Sequence, residues 1–131
     1  MQKFSMTKYK SQKVVDPDGN VFDSKKEYRR WLELRFLEKA GEISELQRQV
    51  AYELVPAQYE TFKRYGKRGQ RLLDGKRLIE KSVVYNADFA YKDNTGALVV
   101  EDTKSPATRT KDYIIKRKLM LHVHGIRVRE V

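Results

Sequence analysis

Apolar positions follow two different periods along this chain, and the switch between them marks out the elements. In "SKKEYRRWLELRFLEKAGEI" (24–43), Tyr28, Trp31, Leu32, Leu34, Phe36 and Leu37 recur at helical spacing. Both ends are signalled: Ser24 with Glu27 forms an S-x-x-E capping box, and Gly41 follows the last turn. "SELQRQVAYELVP" (44–56) changes to a period of two at Leu46, Val50, Tyr52 and Leu54, which predicts a strand that Pro56 ends. "RLIEKSVVYNADFAYKD" (77–93) predicts one long strand, "GALVVEDTKS" (96–105) the next, and "NTG" a hairpin turn between them. "KDYIIKRKLMLHVHG" (111–125) predicts a second helix stopped by Gly125, and "IRVREV" (126–131) a last strand. Ahead of these, a polar arm ends in the turn former "DPDGN", with a short strand at Val14–Val15 or Val21–Phe22. The expected order is αβββαβ: one α/β domain over 1–131, with a mixed central sheet of about four strands flanked by helices.

One pair of strands carries an oddity. Acids are poor strand residues, yet "VVEDTKS" (99–105) puts Glu101, Asp102 and Lys104 at the end of an apolar run. A three-residue loop Asn94-Thr95-Gly96, with glycine in the left-handed position, pairs Asp93 with Ala97 and so sets Asp88 directly opposite Asp102. A two- or four-residue loop would set Asp88 opposite Glu101 instead. Alternation puts Asp102 and Lys104 on one face and Glu101 on the other. Opposed like charges destabilise a sheet, and a divalent cation relieves them. Mg²⁺ suits such a site, because it takes one or two carboxylates plus water and substrate phosphate. Lys104 would then orient or deprotonate an attacking water, or hold the phosphate. An isolated D-x-K is more often a plain salt bridge; the opposed Asp88 and the basic surroundings favour chemistry.

Charge supplies those surroundings. The net charge is +10, which points to an anionic partner, nucleic acid first. The excess is clustered. Residues 1–15 hold Lys3, Lys8, Lys10 and Lys13 with no acid. Residues 57–77 form a basic excursion whose Lys63, Arg64, Lys67, Arg68 and Arg71 are interleaved with Tyr59, Phe62 and Tyr65. Cations for phosphates and aromatics for exposed bases make this a candidate DNA-contacting arm. Arg109, Lys111, Lys116 and Lys118 are further phosphate candidates, although Lys116 and Lys118 cannot share one helical face with equal exposure. There is no cysteine for disulfides or thiolate metal sites, no apolar run approaches the ~20 residues of a membrane span, and the basic N-terminus lacks the apolar stretch of a signal peptide. The expected compartment is the cytoplasm.

A helix glutamate, an aspartate on one hairpin strand and D-x-K on the next together resemble the PD-(D/E)xK nuclease superfamily. "FDSKKEYRRWLELRFLEKAGEIS", "YNADFAYKDNTGALVVEDTKS" and "KRKLMLHVHGIRVRE" more closely resemble a family of small phage endonucleases described as Holliday-junction-resolvase-like. The resemblance covers about residues 8–131, apart from the 57–77 excursion. It implies a restriction-endonuclease-like core and Mg²⁺-dependent cleavage of DNA, with Mn²⁺ able to stand in. Asp88 and Asp102 would bind the metal with the Thr103 backbone carbonyl, Lys104 would be the catalytic lysine, and Glu27 the helix glutamate completing the site. Glu27 is equally explained by the capping box. Two positions depart from the pattern: Asp102 replaces the commoner, longer Glu, and Ala87 stands where the superfamily's proline would precede Asp88. Symmetric cutting of a four-way junction needs two sites, so a homodimer is expected, acting in a bacterial host's cytoplasm if phage-encoded. Two alternatives stay open: the same chemistry on duplex or flap DNA, and a non-catalytic basic DNA-binding module whose acids are ion pairs.

Other signals lead nowhere. "GQRLLDGKR" (69–77) has five residues between its glycines and Arg77 where a phosphate loop needs Ser or Thr. His122 and His124 suit a helix C-terminus and lack partner ligands.

Overall fold

The hairpin register that opposes two acids is formed as its turn chemistry demands. A computed structural model describes residues 12–131; Lys3, Lys8 and Lys10 of the basic arm lie outside the described residues. Strands β6 (Val83–Lys92) and β7 (Leu98–Asp102) pair antiparallel, with Phe89 opposite Glu101 and Lys92 opposite Leu98. Gly96 takes a φ of 84°, which glycine adopts without penalty. The Asp93 carboxylate accepts from the backbone N–H groups of Thr95 and Ala97 at 2.9 and 3.0 Å, closing the turn.

Around this hairpin the chain builds an α/β fold with a four-stranded mixed sheet in the order β3-β6-β7-β8. Strand β3 (Ser44–Val55) runs antiparallel to β6, and the short β8 (Arg129–Glu130) runs parallel to β7. Helix α1 (Lys25–Lys39) starts at the Ser24 cap, whose hydroxyl accepts from the Glu27 N–H. Helix α2 (Lys111–His124) starts at Thr110 and stops at Gly125, φ 67°. Val99 packs in one apolar cluster with Leu34 of α1, and Val100 in another with Met120 of α2. Adjacent strand residues point to opposite faces, so the two helices cover opposite sides of the sheet.

Several boundaries differ from the sequence pattern. Val14–Val15 (β1) and Val21–Phe22 (β2) are both strands and pair with each other. The basic excursion is a hairpin rather than a loop: β4 (Gln58–Phe62) pairs with β5 (Gly75–Glu80). The Phe62 ring lies over Gly75, where a Cβ would clash with it, so glycine admits the aromatic. The single long strand expected over 77–93 is therefore two, parted at Lys81–Ser82. The expected αβββαβ order describes the central sheet and its helices, with the two small hairpins added. On α1 the apolar set splits: Leu34 is buried, while Leu32 and Phe36 are exposed.

The face assignment of β3 also changes midway. Leu46 packs with the α1 cluster, but Val50 and Tyr52 pack with the α2 cluster. On β6, Ala87 and Phe89 divide the same way. Gln49 lies between the pairs Arg48–Phe89 and Val50–Ala87, opposite Asp88, and has a φ of 50°. One left-handed residue rotates the strand, so both strands exchange faces at the Gln49–Asp88 step.

Glu101 anchors the α1 side. It is fully buried, and Arg30 donates to it twice, Nε at 2.8 Å and Nη2 at 2.7 Å. The Tyr91 hydroxyl donates to the same carboxylate. Removing one partner of a buried pair strands the other charge. Glu101→Gln should cost about 3 kcal/mol of stability, read as a lower denaturant midpoint, and far more than Glu33→Gln at the exposed end of the same arginine's contacts. Equal midpoints for the two variants would remove Glu101 as the structural anchor.

Candidate active site

The acids come together where the middle of β6 faces the end of β7. Asp88 sits at the face switch of β6, Asp102 ends β7, and the register places them opposite each other. Beyond β7, the Lys104 N–H donates to the Val131 carbonyl and the Val131 N–H to the Asp102 carbonyl, each at 3.0 Å. The Lys26 ammonium of α1 donates to the Lys104 carbonyl at 2.7 Å. The chain after the sheet's last acid is thus held from two sides.

Each side chain has a defined setting. Asp102 is buried; its Oδ2 accepts from the Tyr85 hydroxyl at 2.7 Å and lies 3.4 Å from the Lys104 ammonium. Lys104 Nζ also sits over the Tyr113 ring, 4.2 Å from its centroid, an attraction between cation and ring quadrupole. Asp88 Oδ2 accepts from the Thr103 N–H at 2.8 Å. Burial first, and then the neighbouring Asp102, hold the Asp88 carboxyl well above the usual carboxylate range.

Glu27 serves two purposes at once. Its Oε2 accepts from the N–H of Asp23, the residue before the Ser24 cap, at 3.0 Å, rather than from Ser24 as a capping box would have it. Its Oε1 accepts from Gln49 Nε2 at 3.1 Å. Burial, reinforced by the charge of Asp88, raises Glu27 to a pKa of about 7. Gln49 reaches toward both acids, with the same Nε2 lying 3.5 Å from Asp88 Oδ1.

These groups line one cavity of about 380 Å³, which includes Glu27, Gln49, Asp88, Asp102, Thr103 and Lys104. The four residues expected to carry chemistry and Thr103 therefore share a single space. Among the described residues, no three acidic or histidine side chains are gathered tightly enough to hold a metal ion on their own. The arrangement is a carboxylate pair beside a cation, with a third acid tied in through Gln49.

The predicted DNA-contacting residues divide. Lys63, Arg64, Lys67, Arg68 and Arg71 all lie between β4 and β5, and none lines the cavity. Arg71 pairs with Asp74 at 2.6 Å. Arg109 pairs with Glu130 at 2.5 Å, alongside Arg117 at 3.2 Å. Lys111 and Lys118 are exposed on α2. Lys116 is half-buried and lines a shallow cleft with Asp102 and Lys104, so the two lysines do differ in exposure. His124 contacts the Glu53 carbonyl and the Tyr52 ring, a packing role.

The pattern of residues did not single out Gln49, Tyr85, Asn86 or Tyr113. Asn86 and Tyr85 precede Asp88 on its own strand, which was a usable signal. Gln49 had none, since its place depends on a backbone rotation.

Among the described residues, no helix is long and apolar enough to cross a membrane. No curated protein and no solved structure matches this chain. A family match spans residues 6–129, and on it the chain belongs to the family described as Protein of unknown function (DUF1064).

Proposed function

We propose that this protein is a metal-dependent endonuclease that hydrolyses DNA phosphodiester bonds, with branched DNA as its substrate and a PD-(D/E)xK-like site. The observation that carries the reading is Asp88 facing Asp102 in a cavity that also holds Lys104. The donor set fits a hard cation. Tyr85 and Lys104 occupy Oδ2 of Asp102, and Thr103 occupies Oδ2 of Asp88. Oδ1 of Asp88 lies 3.5 Å from Gln49 Nε2, and the two carboxylates interact with each other. Burial and the neighbouring Asp102 raise the Asp88 carboxyl, and a divalent cation such as Mg²⁺ or Mn²⁺ would relieve the repulsion between the two acids. Asp88, Asp102 and the Thr103 carbonyl would hold it, with Glu27, whose oxygens accept from Asp23 and Gln49, standing behind them, and it would supply charge stabilisation on the phosphate being cleaved.

The chain's own residues supply the rest. Tyr85 and Thr103 fix the carboxylates before substrate arrives, a cost met in folding rather than in reaction. Lys104, held between Asp102 and the Tyr113 ring, presents its ammonium to an incoming phosphate or water. The β4–β5 hairpin suits the nucleic acid beyond the cut. Lys76 sits over Tyr59 and Arg77 over Phe62, at 4.1 and 4.7 Å. Lys63, Arg64, Lys67 and Arg68 have no ion-pair partner among the described residues. Two copies would serve the two cuts of a four-way junction, in the cytoplasm of a bacterial host if the gene is phage-borne.

Asp88→Ala and Asp102→Ala should each lower Mg²⁺-dependent cleavage more than about 100-fold and leave DNA binding intact or tighter, because an acid no longer repels phosphate. Cleavage assays on four-way, flap and linear DNA side by side read both the chemistry and the preferred shape. Wild-type rates in both variants would discard the assignment in favour of a non-catalytic DNA-binding module.

The acids also predict a pH effect on stability without metal. Folding raises Glu27 from 4.5 to about 7 and raises Asp88 as well. A carboxyl with a raised folded pKa binds more protons folded than unfolded, so its stabilisation is full below the unfolded pKa and lost as pH rises through the folded one. In EDTA the wild type should lose stability relative to Glu27→Gln between about pH 4.5 and 7, and Mg²⁺ should restore it above pH 7. Parallel wild-type and variant melting curves across this window would contradict the shift.

Gln49 gives a test with opposed signs. Gly at 49 relieves about 1 kcal/mol of left-handed strain, offset in large part by the entropy cost of glycine. Gln49→Gly should therefore hold its thermal midpoint while cleavage falls about 10-fold as Glu27 and Asp88 lose their shared donor. A joint loss of stability and activity would reduce Gln49 to a structural role.

A further inference from the structure

A second cavity, of about 460 Å³, adjoins the first across Thr103. Lys26, Arg29, Arg30 and Glu33 of α1 line it, with Thr103 and Val131. The three cations fall on one stripe of the helix, at i, i+3 and i+4. Arg30 is committed to Glu101 and Glu33. Lys26 uses one of its three protons on the Lys104 carbonyl and keeps two. Arg29 makes no ion pair among the described residues. Lys26 and Arg29 are exposed, so free donors of two cations face this cavity, and they call for an anion.

We infer that this cavity binds a backbone phosphate of the nucleic acid, next to the one cleaved at Asp88 and Asp102. The inference rests on the nuclease reading and says how the substrate is held. The catalytic cavity is poor at attracting DNA, because its acids repel phosphate until a cation is bound. Affinity must come from flanking positions. A strand is a polyanion, so a phosphate at Lys104 brings a neighbouring phosphate over an adjoining surface. The Lys26–Lys104 hydrogen bond joins the two cavities directly, so the cation of one steadies the catalytic strand end of the other. Thr103 lines both cavities, and its N–H holds Asp88.

The test is binding of a fluorescein-labelled four-way DNA junction in EDTA, titrated over salt concentration, where cleavage plays no part. Lys26→Ala and Arg29→Ala should each weaken binding and reduce the slope of log K against log [salt] by about one. Lys39→Ala, at the far end of α1, should leave the slope unchanged. Unchanged slopes for Lys26→Ala and Arg29→Ala would overturn the inference, as would an equal drop for Lys39→Ala. Cleavage by Asp88→Ala at the wild-type rate would instead remove the nuclease reading, which separates the two failures.

Discussion

Asp88 and Asp102 face each other because a three-residue turn leaves the hairpin no other register. Asp93 takes the N–H groups of Thr95 and Ala97, Gly96 turns left-handed, and every later pair is counted from there. A slip of one residue would invert every side chain of β7. Val99 and Val100 would exchange clusters, and Glu101 would leave Arg30 for the cavity. The hydrophobic core on both faces therefore enforces the same register that the turn sets. The electrostatic cost of opposing two acids is borne by packing elsewhere.

The face switch at Gln49 and Asp88 explains how that register produces a cavity rather than a flat sheet. With regular alternation, Asp88 would share a face with Asn86 and Ala90, and the sheet would present an unbroken surface to α2. Instead Ala87 and Phe89 part to opposite clusters. The rotation brings Gln49 to Glu27 on α1, a contact that joins a helix cap to a strand acid. Glu27 is buried by the same approach, which is why its carboxyl titrates so far above an ordinary glutamate.

What could be read from residue order is the part that local rules decide. Helix ends follow from Ser24, Glu27, Gly41 and Gly125; the hairpin register follows from Asn94-Thr95-Gly96; and the separate faces of Glu101 and Asp102 follow from alternation. What escaped depends on tertiary geometry. Leu46 and Val50 look like one apolar face until a left-handed residue intervenes between them. The 57–77 segment looks like a loop because its strands β4 and β5 form an exposed ribbon with little apolar alternation, held by cation–ring pairs such as Lys76 on Tyr59. Arg109 looks like a free cation until Glu130, 21 positions later in the chain, arrives beside it. Ion pairs between distant segments leave no local trace.

Glu101 and Asp102 show most directly how position assigns a role. They are adjacent, both acidic and both buried. Glu101 meets a guanidinium that matches it with two parallel hydrogen bonds, and Tyr91 adds a third donor. Both of its oxygens are satisfied by protein, so it has nothing left to offer a ligand. Asp102 meets a hydroxyl and an ammonium on one oxygen only, opposite another acid. Composition and local pattern treat the two alike; the pleat, by sending one toward Arg30 and the other toward Asp88, makes the first a strut of the fold and the second a member of the site.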